Sequence, residues 1–175
     1  MNPTSLPDHV TSIHIAVPVQ RVWDEITKRG VVQRSLYNTV LDCDLTPGSR
    51  LRYYSPDRSR VFIVGEVVEV VPLKRFSYTY TFTTWKTGAP TLVTWELAEE
   101  AGGCRVTVTH SGWNTDHKAP HKTASGWQEI LGLLKRELET GDIPLKTKAV
   151  YRVMNWFLFA MPKTTKTEYI DKRQG

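Results

Sequence analysis

The most constraining feature of the sequence is a series of short runs in which apolar and polar residues alternate. The clearest is KRFSYTYTFT, residues 74–83, where aromatic residues alternate with serine and threonine. Successive strand residues point to opposite faces of a sheet, so this pattern predicts a strand with one apolar and one solvated face. The runs TLVTWELA, residues 91–98, and CRVTVTH, residues 104–110, repeat the alternation.

Turn signals separate these runs at close intervals. They are TPGS at 46–49, SPDRS at 55–59, VPLK at 71–74, TGAP at 87–90 and EAGG at 100–103. Together with an alternating run at residues 9–17, they predict about seven strands. The short connections between the last six favour an antiparallel meander with one face covered.

A long amphipathic helix is predicted after the last strand. Within residues 125–141, one helical stripe contains Trp127, Ile130, Leu131, Leu134 and Leu138. Gly141 is placed to end this helix. The stripe is wide enough to require a partner surface, which the apolar face of the sheet supplies.

Two short helices are expected between the first strand and the meander. The first starts near Pro18 and ends at Gly30, and the second covers residues 31–37. Because the sheet and the long helix each have one apolar face, each is the natural cover for the other. We therefore predict an α+β helix-grip fold, with a curved antiparallel sheet of about seven strands wrapped around the long C-terminal helix.

Several motifs occur in an order that resembles a known superfamily. They are the Pro47-Gly48 turn between two strands, Gly65 followed by Glu69 and Pro72 before an aromatic strand, and Gly126-Trp127 opening the last helix. Residues 9–141 resemble the START-like (SRPBCC) helix-grip superfamily, and within it the bacterial relatives of the activator of the heat-shock protein 90 ATPase. The resemblance implies the fold. It leaves the activity open, because superfamily members bind lipids, hormones or polyketides, catalyse ring closure, or assist chaperones.

The formal net charge of +5 is concentrated at the C-terminal end. Residues 145–175 contain seven basic and two acidic residues, so the rest of the chain is neutral. A nucleic-acid-binding protein is expected to have a basic face on its folded body, so nucleic acid is not predicted as a partner. The N-terminal residues lack the pattern of a signal peptide, and the only cysteines, Cys43 and Cys104, lie in no metal or redox motif. We expect a cytoplasmic protein with reduced, buried thiols.

The basic segment also contains a run of apolar residues that predicts an additional helix. We divide the chain into a helix-grip domain, residues 1–144, and a C-terminal extension, residues 145–175. The run KAVYRVMNWFLFAMPK is too short to span a bilayer, which needs roughly 20 residues. We predict that residues 146–162 form an ordered helix packed on the body or on a second copy, as a lid or a homodimer contact. Its lysines leave attachment to a membrane surface as the alternative.

Catalytic and metal motifs are weak in this sequence. His110, His117 and His121 lie near Asp116, but Pro120 would interrupt a helix carrying the last two histidines, so we predict no metal site or cofactor. The candidates for an acid or base are His110, Glu96 and Glu66.

Large aromatic residues provide the strongest functional signal. Tyrosine and tryptophan combine an apolar body with a polar tip, as the walls of a ligand pocket require. The predicted binding residues are Trp23, Tyr78, Tyr80, Phe82, Trp95, Trp113, Trp127, Leu131 and Leu134. We predict binding of a small, largely apolar or aromatic ligand between sheet and helix, in preference to turnover. The alternatives are a cyclase or hydrolase using the same cavity, and a stress-response module accessory to a chaperone.

Overall fold

Eight strands form one antiparallel sheet in the computed structural model, which describes residues 4–117 and 120–174. The strands are β1 His9–Ile15, β2 Val32–Gln33, β3 Thr39–Asp42, β4 Arg50–Tyr54, β5 Val61–Val71, β6 Arg75–Phe82, β7 Thr91–Glu100 and β8 Gly103–Ser111. Their order is β1-β8-β7-β6-β5-β4-β3-β2. The meander therefore runs from β2 to β8, and β1 pairs with β8.

Four α-helices accompany the sheet. They are α1 Val19–Thr27, α2 Pro120–Thr140, α3 Leu145–Trp156 and α4 Thr167–Gln174, and 3-10 turns span Leu158–Ala160 and Lys163–Thr165. The predicted stripe of α2 is buried and shares one core cluster with the sheet and with α1. Gly141 follows α2 with a φ of 80°, a backbone conformation that suits glycine at a helix end. The α+β helix-grip fold is thus confirmed.

Two details of the predicted element list are wrong. The sheet has eight strands rather than about seven, and residues 31–37 form β2 and a turn rather than a second helix. Tyr37 and Asn38 have positive φ values, which a helix does not allow. Gln33 explains why a strand is favoured here, because its buried amide donates to the carbonyls of Glu25 and Ile26 at 2.8 and 3.2 Å. It thereby satisfies carbonyl groups at the C-terminus of α1.

Two register irregularities bend the sheet. One lies in the pairing of β4 with β5, where Tyr53 and Tyr54 pair with Ile63 and Val61 and leave Phe62 of β5 without a partner in β4, and the other lies in β5 between Val67 and Glu69. Gly65 lies between them in sequence, and a Cβ atom added there would be 1.8 Å from the carbonyl oxygen of Thr79. Glycine at this position is therefore required for β5 and β6 to approach each other.

Two buried arginines of the sheet region hold the C-terminal extension. Arg60 donates to the carbonyls of Phe159, Met161 and Pro162 at 3.3–3.5 Å, and to the hydroxyl of Thr165 at 3.4 Å. Arg52 forms an ion pair with Asp171 at 2.6 Å. The predicted additional helix is confirmed as α3, which ends earlier than expected, and α4 was not predicted. Among the described residues, no helix has the length and apolar character needed to cross a bilayer.

Candidate functional site

A cavity of about 630 Å³ lies between the sheet, the first half of α2 and the C-terminal extension. Its sheet wall consists mainly of side chains from β4, β5 and β6: Tyr53, Phe62, Ile63, Tyr78, Tyr80 and Phe82. The α2 wall consists of Thr123, Gly126, Trp127 and Ile130, and the loop after β2 contributes Leu36 and Tyr37. The cavity is concave, mostly apolar and of the size usual for small-molecule sites.

The C-terminal extension closes one side of this cavity. Met154, Phe157, Leu158 and Met161 all line it. The extension is anchored beside the cavity by Tyr151, which packs with Leu133 and Ile143 and donates from its hydroxyl to the carbonyl of Arg34 at 2.8 Å. The segment therefore packs on the body of the protein beside the cavity, and its role as a lid stays a prediction.

The structure places only part of the predicted residue set at the cavity. Tyr78, Tyr80, Phe82 and Trp127 line it. Leu131 and Leu134 lie further along α2 in closed core, and Trp23 packs in the same core from α1. These three residues therefore have a packing role.

The other two predicted tryptophans lie behind the cavity. Trp95 contacts Trp127 edge to face, with 5.6 Å between ring centroids, and its Nε1 donates to the Tyr78 hydroxyl at 3.3 Å. Trp113 follows β8 and packs among His9, Trp85 and the histidine rings nearby. Trp95 supports a cavity residue, whereas Trp113 does not reach the site.

Sequence reasoning missed the wall residues that come from irregular or distant segments. Tyr53 lies in a five-residue strand whose neighbour Arg52 is also buried, so no clean alternation marked it. Tyr37 lies in the turn that was expected to be a helix. A signal for the lid was present, because the apolar run at 150–161 is too apolar for a fully solvated helix.

Two tyrosine hydroxyls give the cavity free hydrogen-bonding capacity. The Tyr78 hydroxyl accepts from Trp95 Nε1 at 3.3 Å and from the Tyr53 hydroxyl at 3.4 Å. Since both of its lone pairs are engaged, its own proton is available to donate. The Tyr80 hydroxyl has no hydrogen-bond partner among the described residues. Both can therefore donate to a bound molecule.

No charged side chain lines the cavity among the residues that the structure describes. None of the described residues that line it is acidic, basic or a histidine. Burial raises the pKa of Tyr78 to about 12 and raises the pKa of Tyr80 well above its usual value, so both phenols are neutral at physiological pH. The site is suited to an uncharged molecule.

His110 lies next to the cavity wall but not in it. Trp127 Nε1 can only donate, so His110 Nδ1 accepts this bond at 2.9 Å and the ring proton lies on Nε2. The Nε2 atom donates to the Thr91 hydroxyl at 2.8 Å, and that hydroxyl donates to the Tyr80 carbonyl at 2.9 Å. Burial, with a smaller effect from His9 and His117, lowers the pKa of His110 to about 3. His110 is a neutral, fully bonded histidine that positions Trp127.

The remaining acid and base candidates are also outside the cavity. Glu96 forms an exposed ion pair with Arg75 at 2.8 Å, and Glu66 is exposed in β5. Neither lines the cavity, so the enzyme hypothesis loses all three of its named candidates.

The histidine cluster does not form a metal site in the described part of the chain. No group of three or more potential ligands comes together there. His117 Nε2 lies 2.9 Å from the carbonyl of Ala89, and α2 begins at Pro120, so no single helix carries His117 and His121. The side chain of His121 is outside the described residues.

A second depression, of about 820 Å³, lies across the ends of β5–β7 near α1. Charged side chains line it, and Arg75, Glu96 and Arg105 already have ion-pair partners. Its lining mixes these paired charges with apolar side chains and contains no aromatic residue among those described, so the aromatic cavity is the better candidate site.

Residues 16–139 match the family model described as Activator of Hsp90 ATPase homolog 1-like protein. No curated protein sequence matches the chain significantly.

Solved structures share the same fold. DynU16, a putative protein in the dynemicin biosynthetic locus, matches with 24% identity and a TM-score of 0.65 over 78% of this chain and 48% of that one. This chain thus spans about half of DynU16. Protein MLL2253 from Mesorhizobium loti matches with 21% identity and a TM-score of 0.66, over 78% and 100% of the two chains. The Aha1 dimer from Colwellia psychrerythraea matches with 16% identity and a TM-score of 0.63, over 78% of this chain and 99% of that one.

Proposed function

The chain belongs to the family of Activator of Hsp90 ATPase homolog 1-like proteins, and from this premise we propose that it binds a small, largely apolar or aromatic ligand in the aromatic cavity. The observation that carries the proposal is the cavity itself, about 630 Å³ of space walled by the sheet, α2 and the extension. A well-packed core contains few voids larger than a water molecule, so a space of this size is consistent with a binding site.

The polar groups of the cavity define the chemistry of the ligand. A charged ligand would lose its hydration without gaining a counter-charge from the described lining residues, which costs several kcal/mol or more, so we infer a neutral ligand. The Tyr78 and Tyr80 hydroxyls can each donate one hydrogen bond to it. We therefore infer a ligand with an apolar or aromatic body and one acceptor oxygen, such as a ketone or a quinone.

Blocking the cavity from α2 tests this proposal. Gly126 lines the cavity, and among the described residues only the end of the Tyr37 side chain, at 3.2 Å, lies within 4 Å of a Cβ added there. Gly126→Leu should therefore fill the cavity without breaking the fold. Gly132→Leu is the matched control, because Gly132 lies in the same helix and a Cβ there meets nothing within 4 Å.

The measurement is a titration with the neutral fluorophore N-phenylnaphthylamine. Wild type and Gly132→Leu should bind the fluorophore saturably with equal affinity. The affinity of Gly126→Leu should be at least tenfold lower. Equal binding by all three proteins would assign the probe to the outer surface and remove support for the cavity site.

A chaperone-accessory role is the second candidate, and the family match favours it. It predicts that the chain binds purified Hsp90 and that Gly126→Leu leaves this binding unchanged. Co-sedimentation of the two purified proteins distinguishes it from ligand binding, since only ligand binding depends on the cavity.

A further inference from the structure

Helix α3 has an outer face that the body of the protein leaves uncovered. Leu145, Ala149, Val153 and Trp156 are spaced by four, four and three residues and share this face, opposite the buried Tyr151. Trp156 is 83% exposed and Leu145 is 80% exposed. We call these four residues the α3 outer face.

The apolar surface continues beyond the helix. Phe159 is 77% exposed, and its ring stacks on that of Phe157 with 6.1 Å between centroids. Large aromatic side chains left in water lose the stabilisation that burial of their apolar surface would give. Several of them in one short segment mark an interaction surface.

Two cations flank the α3 outer face, and two more follow it in the sequence. Lys146 and Arg152 flank it on the helix, and Lys163 and Lys166 follow in the next turns. All four are exposed and none forms an ion pair within the described residues, whereas Lys148 is paired with Asp142. Of the two acidic residues in the extension, Asp171 is already paired with Arg52.

We propose that the α3 outer face, with Phe159 and the adjoining cations, docks on an anionic lipid bilayer. A short helix with exposed tryptophan and phenylalanine flanked by lysine and arginine fits the plane of the membrane interface. Tryptophan is favoured there because its ring is both apolar and able to donate a hydrogen bond. Each basic residue near an anionic surface adds to the electrostatic attraction.

A second copy of the chain fits this face less well. A twofold contact brings the same patch of both copies together. The cations of one copy, Lys146 and Arg152, would then lie near the same cations of the other copy, with no acidic residue on the face to offset them. An anionic bilayer provides the complementary charge.

The location of the surface gives docking a consequence. Met154 and Phe157 from the same segment line the aromatic cavity. Docking would therefore hold the cavity lid against the lipid, from which an apolar ligand could enter. This consequence depends on the proposed function, but docking itself does not.

Vesicle co-sedimentation tests the proposal with the full chain. Wild type should bind vesicles of phosphatidylglycerol, and binding to phosphatidylcholine vesicles should be at least tenfold weaker. The affinity of the double variant Trp156→Ser, Phe159→Ser for anionic vesicles should be at least tenfold lower than that of wild type. The charge variant Lys146→Glu, Arg152→Glu should show an equal loss of affinity, and raised salt should weaken wild-type binding.

Matched controls use exposed residues outside the C-terminal extension. Val10→Ser with Val68→Ser removes exposed apolar side chains from the sheet, and Arg21→Glu with Lys74→Glu reverses two exposed cations that form no ion pair within the described residues. Both control pairs should bind anionic vesicles like wild type. Gly126→Leu should also bind like wild type, which separates docking from ligand binding.

Three results would overturn the proposal. The first is no wild-type binding to anionic vesicles at low salt, and the second is equal loss in the test and control variants. The third is a concentration-dependent dimer, seen without lipid and abolished by Trp156→Ser, which would assign the face to a second copy.

Discussion

At the scale of single residues, the two tyrosine hydroxyls of the cavity differ in what they do for the protein. Alternation in the sequence placed Tyr78 and Tyr80 on the apolar face, and the structure agrees. The sequence pattern could not show that Tyr78 accepts two hydrogen bonds while Tyr80 has no partner among the described residues. Those bonds depend on Tyr53 and Trp95, which belong to other strands.

Tyr80→Phe should change ligand affinity without changing stability. Removing a hydroxyl that has no protein partner should alter the free energy of unfolding by less than about 0.5 kcal/mol. Affinity for prodan, a neutral naphthyl ketone, should fall several-fold through loss of one hydrogen bond worth about 1 kcal/mol. Affinity for N-phenylnaphthylamine, which has no acceptor oxygen, should not change. Equal loss for both probes would show that the hydroxyl does not contact the ligand.

His110 makes a pH-dependent contribution to stability. The folded protein keeps it neutral, with its pKa lowered to about 3, whereas the unfolded chain takes up a proton below about 6.5. The contribution is therefore complete above pH 6.5 and decreases as the pH falls from 6.5 towards 3.

Substitution of His110 by a neutral amide tests this dependence. We expect His110→Gln to lower the unfolding free energy at pH 7 by about 1–3 kcal/mol, because Trp127 and Thr91 lose well-placed partners. Its unfolding free energy should then fall less steeply than that of wild type between pH 6.5 and 4, in urea titrations at each pH. Parallel pH profiles would contradict a buried, neutral His110.

At the scale of helices and strands, periodicity predicted most of the fold. The long strands β5–β8 and helix α2 each contain enough residues to show a period, and they occur where expected. Strand β2 has two residues and shows no period, so the second helix predicted there was wrong. Its structure depends instead on Gln33, which bonds to α1, a tertiary contact that no local pattern reveals.

Gly65 and Gly132 provide a matched pair of glycines in a strand and a helix. Gly65→Ala should cost more than about 2 kcal/mol, because its Cβ would lie 1.8 Å from the Thr79 carbonyl oxygen and the strands must separate. Gly132→Ala should instead stabilise the protein by about 0.5–1 kcal/mol, since a Cβ there meets nothing and alanine favours the helix. Urea denaturation measures both values, and a neutral Gly65→Ala would contradict the close approach of β5 and β6.

At the scale of the whole molecule, the cavity joins segments that are far apart in sequence. The sequence predicted a pocket between sheet and α2, with Tyr78, Tyr80, Phe82 and Trp127 among its residues. It could not give the pocket's position along α2, and therefore included Leu131 and Leu134, which the structure places in closed core. We propose that residues 1–144 form the helix-grip domain and that residues 145–175 are the element that closes it.

Arg60→Met should loosen this closing element. The substitution keeps much of the side-chain volume but removes the donors that hold residues 159–165. Amide hydrogen exchange should accelerate in residues 158–170 while β7 and β8 stay protected, and prodan affinity should fall because one cavity wall is lost. Arg50→Met, at an exposed arginine of β4, is the control and should leave the amide exchange and the prodan affinity unchanged. Unchanged exchange in Arg60→Met would contradict an anchoring role for Arg60.

Methionine methyl resonances allow the most direct test of ligand binding in the cavity. The chain has three methionines, and Met154 and Met161 both line the cavity from the lid. With ¹³C-methyl methionine, a titration with prodan should shift these two resonances saturably and together. In Gly126→Leu the same titration should leave both resonances unshifted. Saturable prodan binding that leaves Met154 and Met161 unchanged in wild type, or shifts them equally in Gly126→Leu, would contradict a binding site in this cavity.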